Sequence, residues 1–430
     1  MTLAGFADTL GRLLEVRPLR IALVVERFAP GTGGVENVAW QVARELVRQG
    51  EDVTIVARAA EPADAIDLRI VAAPGRRSPF RTLAFSRAAA RATRTGGFDV
   101  VHGFSRTRHQ DLYRAGGGRH ADYLERMHSP LGRRLRGLLP RHRSLLAIER
   151  QVFADPGQRI QCASRLVADR LTECEAVAPE RILLLPNAVE GERFAPERNR
   201  TAGLQLRRAL DASAERIWLL PASGWRRKGL AEAIAAIARL GDPGARLWVA
   251  GRDDPAPWRR RAARAGIGDR VRFLGPRRDL EVVYAAVDGL LLPTRYDPFA
   301  NVTFEAAAAG LAIVTTHANG AAEWLPPDAC RLVGAAKDRG APTAARANPP
   351  SAAEADAQTR APDPEAIAAA LRALAEPAER RRLGDAARRA IAVHHWPGHV
   401  AALRAEYARL VEARGARDAR GSAGPAAGRA

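Results

Sequence analysis

The sequence contains little cysteine, few aromatic residues and no long apolar run, and each shortage excludes a class of protein. Its three cysteines are scattered and form no Cys-x-x-Cys pair, so neither a disulfide framework nor a thiolate metal site is predicted. Aromatic residues make up 5% of the chain and are not interleaved with basic clusters, which argues against a surface that stacks on nucleic acid. No apolar run reaches about 18 residues, the length that predicts a membrane-spanning helix.

Lysine is also scarce, although the chain is strongly basic. The formal net charge is +19 with 67 basic residues, of which only Lys228 and Lys337 are lysines. A positive excess suggests an anionic partner, but abundant arginine together with alanine is also typical of a coding bias. Residues 1–20 are interrupted by Asp8 and Arg12 and do not form the apolar core of a secretory signal. We therefore expect a cytoplasmic protein, soluble or peripheral to a membrane.

What the sequence does contain is a repeated alternation of apolar strands and helical segments. Its 430 residues exceed one compact domain, and two domains of about 200 residues each fit this length. The clearest unit begins with a buried strand at Val287–Leu292 and continues with a helix at Asn301–Ala309. Gly310 closes the helix, and a second strand follows at Leu311–Thr315. Repeated units of this kind predict an α/β fold with parallel sheets.

The turn of this central unit carries candidate chemistry. Asp297 lies in the loop, and Asn301, Thr303 and Glu305 lie in the first turns of the helix. The beginning of a helix directs free N–H groups and a positive dipole end at its surroundings, which suits a phosphate. Two carboxylates there would accept hydrogen bonds from sugar hydroxyls. The structural alternative is that Asp297 shapes the turn before Pro298 and that Glu305 only complements the helix dipole.

Two further loops are candidates for phosphate binding. Arg227 and Lys228 follow a strand at Arg216–Leu220 and precede a helix at Leu230–Arg239, where two cations suit a diphosphate. An ordinary surface pair is the alternative. Near the start of the chain, Gly33 and Gly34 separate a strand from a helix and would let backbone N–H groups approach a phosphate. That glycine loop is weak evidence taken alone.

Three motifs in this order resemble the retaining glycosyltransferases of family 4. The string from Asp297 to Gly310 is similar to the family's acid-x7-Glu signature, with Asp297 where the family usually has Glu and Ala300-Asn301 in place of Gly-Leu. Arg227-Lys228-Gly229 looks like the family's Arg-Lys-Gly motif. Residues 28–36, read as Phe-x-Pro-x-x-Gly-Gly-x-Glu, look like its first loop, which lies under the donor diphosphate. The resemblance covers about residues 20–330 and 364–412.

The resemblance implies the GT-B architecture, in which two Rossmann-like parallel-sheet domains face each other across a cleft. Pro186-Asn187 resembles the family's crossing between the domains, so Asn187 is a possible site residue. The implied organisation is a leader at 1–19, an acceptor-side domain at 20–186 and a nucleotide-sugar domain at 187–395 with a flexible insertion at about 335–363. A helix at 396–412 would return to the first domain, and 413–430 would form a disordered tail.

Two acceptor-side residues and one basic segment complete the candidate set. His102 ends a strand and is either functional or a polar strand cap. Asp111 precedes a Gly-rich segment similar to the branch of the family that glycosylates lipopolysaccharide core, which implies an active-site aspartate. Residues 119–150 alternate leucines with arginines and could lie on an anionic membrane, although a solvated surface is equally compatible. The arginines concerned are Arg133, Arg134, Arg136, Arg141 and Arg143.

The resemblance therefore implies transfer of a hexose from a nucleotide-diphosphate sugar, resembling UDP-glucose, to a hydroxyl of a glycan or glycolipid acceptor, with retention of configuration. Asp111, Asp297 and Glu305 are the catalytic candidates, and the cation pair would hold the leaving diphosphate. The co-substrate is the nucleotide sugar, and no cofactor and no nucleic-acid partner are expected. No metal is expected either, since no Asp-x-Asp motif occurs. A nucleotide-sugar hydrolase or epimerase, or a non-catalytic sugar-binding protein, are the alternatives.

Overall fold

The computed structural model describes residues 17–74, 80–212, 215–334 and 361–422. The chain divides into two compact units. The first consists of the described parts of Met1–Arg114 and Val400–Ala430, and the second of those of Ala115–His399. Each unit is described by itself below.

The first unit is built on parallel strands that pair in the order β5-β3-β1-β6-β7. Two short strands, β2 and β4, pair beside them. The strands are β1 (Arg20–Val24), β2 (Arg27–Phe28), β3 (Asp52–Ala57), β4 (Ala59–Ala60), β5 (Asp67–Ile70), β6 (Val100–Gly103) and β7 (Leu112–Arg114). Two helices, α1 (Gly34–Arg48) and α2 (Arg81–Arg94), form the crossovers between strands.

The core of this unit follows from the apolar composition of its central strands. Strand β1 pairs with β3 on one side and β6 on the other, and its residues from Ile21 to Val24 are completely buried. Strands covered on both faces read as continuous apolar runs, as this one does. Helix α1 buries Val38, Val42 and Leu46, spaced four residues apart on one face. Hydrophobic burial of these faces orders the sheet and leaves the strand ends for polar residues.

The second unit contains a six-stranded parallel sheet in the order β12-β11-β10-β13-β14-β15 and also the parallel neighbours β8 and β9. The strands are β8 (Arg159–Cys162), β9 (Ile182–Leu184), β10 (Arg216–Pro221), β11 (Ala245–Ala250), β12 (Val271–Gly275), β13 (Gly289–Leu292), β14 (Ala312–Thr316) and β15 (Arg331–Val333). The order reverses between β10 and β13, which is the kind of position where open α/β sheets bind ligands.

Twelve helices of the described chain complete this unit. They are α3 (His120–Met127), α4 (Pro130–Gly137), α5 (Pro140–Ala154), α6 (Arg165–Glu175), α7 (Gly191–Phe194), α8 (Pro196–Ala209), α9 (Leu230–Arg239), α10 (Ala256–Arg264), α11 (Leu280–Ala285), α12 (Asn301–Ala308), α13 (Pro364–Arg372) and α14 (Pro377–Ile391). A last helix, α15, spans Trp396–Ser422, and its residues from Val400 belong to the first unit.

Two expectations about the end of the chain have different outcomes. The predicted disordered tail at 413–430 is wrong as far as Ser422, because α15 continues through it. Alanine and arginine are strong helix formers and outweigh the helix-breaking tendency of Gly415, and Arg414 is held by an ion pair with Asp111. The flexible insertion predicted at 335–363 falls mainly outside the described residues, as do residues 1–16 of the predicted leader.

The predicted domain boundary at residues 186 and 187 stays a prediction. In the structure residues 115–186 are grouped with residues 187–399. Contacts within the second unit explain this grouping. Ser164 donates a hydrogen bond to the carbonyl of Pro298 (2.7 Å), and the Trp324 indole donates to the carbonyl of Ala163 (3.1 Å). The carboxylate of Glu323 accepts the first backbone N–H groups of α6, at 2.7 and 2.9 Å.

Candidate active site

The loop between β10 and α9 carries the predicted cation pair and is fixed at both ends. At its start, the carboxylate of Asp253 accepts the backbone N–H groups of Gly224 (2.8 Å) and Trp225 (2.7 Å). At its end, Gly229 has a φ of +79°, and a Cβ there would lie 1.9 Å from the carbonyl oxygen of Pro293. Only glycine satisfies both conditions. The backbone that presents Arg227 and Lys228 is therefore held in one conformation.

Arg227 and Lys228 converge on Asp297, as the order of the motifs predicts. Arg227 Nη1 lies 3.0 Å from Asp297 Oδ2, and the Lys228 ammonium donates a short hydrogen bond to the same oxygen. Lys228 and Asp297 are buried, whereas the Arg227 side chain is partly exposed. Two cations therefore share one carboxylate, and the cluster keeps an excess of positive charge.

The carboxyl of Asp297 is ionised throughout the physiological range. Burial alone would raise its pKa, but the charges of Lys228 and Arg227 outweigh burial and lower the pKa to about 2. Burial lowers the pKa of Lys228, and the Asp297 charge opposes that shift. The backbone of Asp297 is also fixed, because its N–H donates to Ala318 and its carbonyl accepts from Gly320, at 2.8 and 2.9 Å. Asp297 is a rigid anchor for the two cations.

Glu305 lies on α12, one turn from the beginning of the helix, and its environment differs from that of Asp297. The Tyr284 hydroxyl on α11 donates a 2.9 Å hydrogen bond to Glu305 Oε2. Burial raises the pKa of Glu305, while the Tyr284 hydrogen bond and the charges of Arg193 and Lys228 act to lower it. Because Lys228 is among those charges, Glu305 lies close enough to the cation pair to interact with it electrostatically. Asp297 forms ion pairs with Arg227 and Lys228, whereas Glu305 forms no ion pair with any described residue.

The other polar residues of the loop and α12 form a supporting network. Asn187 Nδ2 donates to Asn301 Oδ1 at 2.7 Å. Asn319 Nδ2 donates to the hydroxyl of Thr303 at 2.8 Å and to that of Thr315 at 3.1 Å. Thr303 is completely buried, so its side chain stabilises α12 through its buried contacts and does not face a ligand. Asn187 and Asn301, predicted separately, are brought together.

This geometry can perform one kind of chemistry well. A cation pair beside the start of a helix can stabilise a dianionic leaving group, because the cations and the positive end of the helix dipole both favour negative charge. An unpaired carboxylate a short distance away accepts hydroxyl hydrogen bonds. In the part of the chain that the structure describes, no group of three or more His, Cys, Asp or Glu side chains is arranged to hold a metal ion.

Comparison with known proteins places the chain in a family. Residues 32–193 match the pattern described as Glycosyltransferase Family 4, and residues 217–376 match that of Glycosyl transferases group 1. Residues 32–193 thus form a glycosyltransferase family 4 domain, and residues 217–376 form a group 1 glycosyl transferase domain. The two matches contain the first glycine loop, the cation pair and the acid-x7-Glu string, which are the three motifs that carried the predicted resemblance.

Individual family members and solved structures agree with this assignment. The lipopolysaccharide glucosyltransferase WaaG of Escherichia coli (strain K12) is 28% identical over 243 residues, which are 55% of this chain and 63% of WaaG. The crystal structure of WaaG superposes with a TM-score of 0.74 at 21% identity, covering 89% of this chain and 98% of that one. The structure of Anabaena HepE with UDP-glucose gives 0.64 at 14% identity, covering 90% and 100%. The fold is therefore GT-B, with two Rossmann-like parallel-sheet domains.

The candidate residues of the first unit lie in positions of different character. Gly34 begins α1, and Gly33 before it is extended; a Cβ on Gly33 would meet the side chain of Glu36. His102 is completely buried in β6, and its Nδ1 lies 2.8 Å from the hydroxyl of Tyr407. That burial favours the structural interpretation of His102. Asp111 accepts the N–H of Val101 at 2.8 Å and is paired with Arg414, so its catalytic role stays a prediction.

Three residues of the site were not predicted from the sequence. They are Asp253, which fixes the cation loop, Tyr284, which donates to Glu305, and Asn319, which supports Thr303. Each of them contacts a residue that belongs to a different strand–helix unit of the sheet. The one local signal is the Asn-Gly pair at residues 319 and 320, because such pairs mark tight turns after a strand.

The basic segment forms two short helices with an exposed apolar face. Helix α4 begins after Ser129, whose Oγ accepts the N–H of Gly132 at 3.3 Å, and α5 follows after two residues. Its five predicted arginines are exposed. The exposed leucines near them, at 48–69% accessibility, are Leu131 and Leu135 on α4 and Leu138 and Leu139 between α4 and α5. Among the helices of the described ranges, none is both long and apolar enough to cross a bilayer.

Proposed function

We propose that this protein transfers a hexose from a nucleotide-diphosphate sugar, UDP-glucose or a close analogue, to a hydroxyl of a glycan or glycolipid acceptor such as lipopolysaccharide core. The observation that carries the proposal is the cluster of Arg227, Lys228 and Asp297 beside Glu305. It offers surplus positive charge for a diphosphate and a free carboxylate for sugar or ribose hydroxyls. Asn301 and the start of α12 add backbone N–H groups at the same place.

The reaction has a simple balance. The bond between the anomeric carbon and the phosphate oxygen breaks, and a bond between that carbon and the acceptor oxygen forms. The acceptor proton passes to the departing diphosphate oxygen, on the same face of the sugar, so the α configuration is retained. Arg227 and Lys228 stabilise the charge that develops on the diphosphate, and a divalent metal has no required part. Enclosure of the site would limit the competing attack by water.

Similar proteins support the choice of substrates. WaaG is named a lipopolysaccharide glucosyltransferase, and the HepE structure contains UDP-glucose. The match spans 63% of the length of WaaG. A cytoplasmic position on the inner face of the cytoplasmic membrane would bring the enzyme to a lipid-linked acceptor.

Measuring the turnover of UDP-glucose with and without a lipopolysaccharide core acceptor tests the proposal. We expect UDP release that depends on the acceptor, with the product shown by NMR to carry an α linkage. Equal consumption of UDP-glucose without the acceptor would identify a hydrolase instead, and recovery of an epimerised sugar nucleotide would identify an epimerase. A β-linked product would contradict retention. Absence of turnover together with tight glucose binding would indicate a sugar-binding protein.

We also propose that α4 and α5 dock the protein on anionic lipid. The observation is the coincidence of exposed leucines and exposed arginines on α4, on the two residues that join it to α5, and on the first turn of α5. Leucines at positions 131, 135, 138 and 139 would enter the headgroup region, while the neighbouring guanidinium groups contact lipid phosphates. A soluble protein gains little by exposing four leucines on neighbouring turns, which favours the membrane over a purely solvated surface.

A further inference from the structure

Helix α3 places a third basic residue, Arg126, next to the loop that holds Arg227 and Lys228. The guanidinium carbon of Arg126 lies 5.4 Å from the centroid of the Tyr296 ring. Tyr296 is the residue before Asp297 and is buried. A guanidinium stacked on an aromatic face keeps its N–H edge available for hydrogen bonds. The position of Arg126 is therefore defined by a ring that belongs to the site loop.

Arg126 lacks an anionic partner within the described ranges of the chain. The carboxylates that act on it electrostatically are bonded to other arginines. Asp122 pairs with Arg119 and Arg170, and Glu125 pairs with Arg133 at 3.4 Å and with Arg170 at 3.6 Å. Burial lowers the pKa of Arg126, and the charges of Asp122 and Glu125, which are shared with other arginines, oppose that shift. A largely desolvated guanidinium without an ion pair of its own is an unfavourable arrangement unless an anion from outside occupies the position.

Hydrogen bonds connect the loop that holds Arg227 and Lys228 with the residues around Arg126. Arg227 Nη1 donates to the carbonyl of Tyr296 at 2.9 Å. Arg226 Nη2 donates to the carbonyl of Met127, the residue after Arg126, at 3.1 Å. The cation loop thus contacts both α3 and Tyr296. Gly118 adds to this packing, because it has a φ of +62° and a Cβ there would overlap the Tyr296 hydroxyl.

We propose that Arg126 binds a phosphoryl oxygen of the donor diphosphate, as a third cation beside Arg227 and Lys228. The inference rests on the proposed function, since it assumes a nucleotide-diphosphate donor. Asp297 already neutralises part of the charge of Arg227 and Lys228, whereas no carboxylate of the described residues forms an ion pair with Arg126. A planar guanidinium also matches phosphate geometry with paired hydrogen bonds.

Calorimetric titration with UDP and with uridine tests this role. Arg126→Gln should weaken UDP binding on the order of tenfold and leave uridine binding unchanged, because uridine has no phosphate. It should also reduce the dependence of UDP affinity on salt concentration. Arg150→Gln removes an equal charge from an exposed position on α5 and should change neither titration. Arg126→Lys keeps the charge without the planar fork and should give an intermediate UDP affinity.

The outcomes distinguish this inference from the proposed function. If Arg126→Gln binds UDP as the wild type does, Arg126 is not a donor ligand, and the inference is overturned. The same holds if that variant changes only the KM for the acceptor. If the wild type binds no UDP, the proposed donor is itself wrong. Thermal denaturation of each variant identifies loss of folding, and a folded Arg126→Lys then decides the question alone.

Discussion

At the scale of single residues, the site contains two carboxylates whose surroundings drive their pKa values in opposite directions. Two cations lower the pKa of Asp297 to about 2, whereas burial raises the pKa of Glu305. The two groups therefore have different tasks. Asp297 stays charged and positions Arg227 and Lys228, while Glu305 has a free oxygen to offer to a hydroxyl.

Replacing Asp297 by Asn should destabilise the protein, because it leaves the buried ammonium of Lys228 with less compensation. We expect the free energy of unfolding near neutral pH to fall by about 3 kcal/mol. A folded-state pKa below the unfolded value stabilises the protein above the unfolded pKa. The difference between wild type and variant should therefore shrink as the pH falls from 3.8 to about 2. Denaturant titrations at several pH values measure this difference.

Asp385→Asn is a suitable control for that experiment, since Asp385 is an exposed acid on α14. It should alter the free energy of unfolding little at any pH. Equal stability of Asp297→Asn and the wild type at neutral pH would show that the ion pairs contribute nothing net. Adding Lys228→Met to Asp297→Asn should recover most of the loss, because it removes the uncompensated charge.

Replacing Tyr284 by Phe should test whether Glu305 is used in its ionised form. The Tyr284 hydrogen bond lowers the pKa of Glu305, so its removal should raise that pKa. Donor affinity should fall several-fold, and the acidic limb of the pH profile of kcat/KM should move to higher pH. A variant with normal stability and an unchanged pH profile would show that Tyr284 only fills space.

At the scale of secondary-structure elements, each part of the site depends on how a helix begins or ends. Helix α12 begins at Asn301 and stops where Gly310 takes a φ of +68°, as its sequence predicts. Helix α9 begins where Gly229 turns back beside Pro293. The short helices α3 to α5 were read in the sequence only as one basic amphipathic segment. Their separation follows from Pro130 and Pro140, which start α4 and α5.

Helices α4 and α5 should bind vesicles that contain anionic lipid, with an affinity that falls as salt is added. Changing Arg133, Arg134, Arg136, Arg141 and Arg143 to Gln should abolish this binding in a sedimentation assay. Changing the four exposed leucines to Ser should weaken it without removing its salt dependence. Vesicle binding that survives the arginine changes would show that this surface is not the anchor.

At the scale of the whole molecule, the sequence determines the fold class and the charged part of the site, but not the supporting contacts. Arg227, Lys228 and Glu305 could be identified because each lies in a short motif at the end of a predicted strand. Tyr284, Asn319 and Asp253 act across the sheet from other strand–helix units, and no spacing in the chain encodes those distances. Arg126 could not be distinguished in the sequence from the many other arginines. Its stacking on Tyr296 in the structure is what identifies it.

Glu305 lies within the matched family pattern and is also central to the proposed chemistry. Residues around it match the group 1 glycosyl transferase pattern, and its free carboxylate oxygen is the feature that a donor would use. Loss of that carboxylate should therefore affect donor binding itself, and not only the rate of a later step.

The most direct test is a calorimetric titration of UDP-glucose into the wild type and Glu305→Ala, with transfer assayed on the same samples. The account predicts that the wild type binds UDP-glucose and transfers glucose. Glu305→Ala, folded normally by thermal denaturation, should bind at least about tenfold more weakly and transfer no detectable glucose. Wild-type affinity together with near-normal transfer in Glu305→Ala would contradict the account.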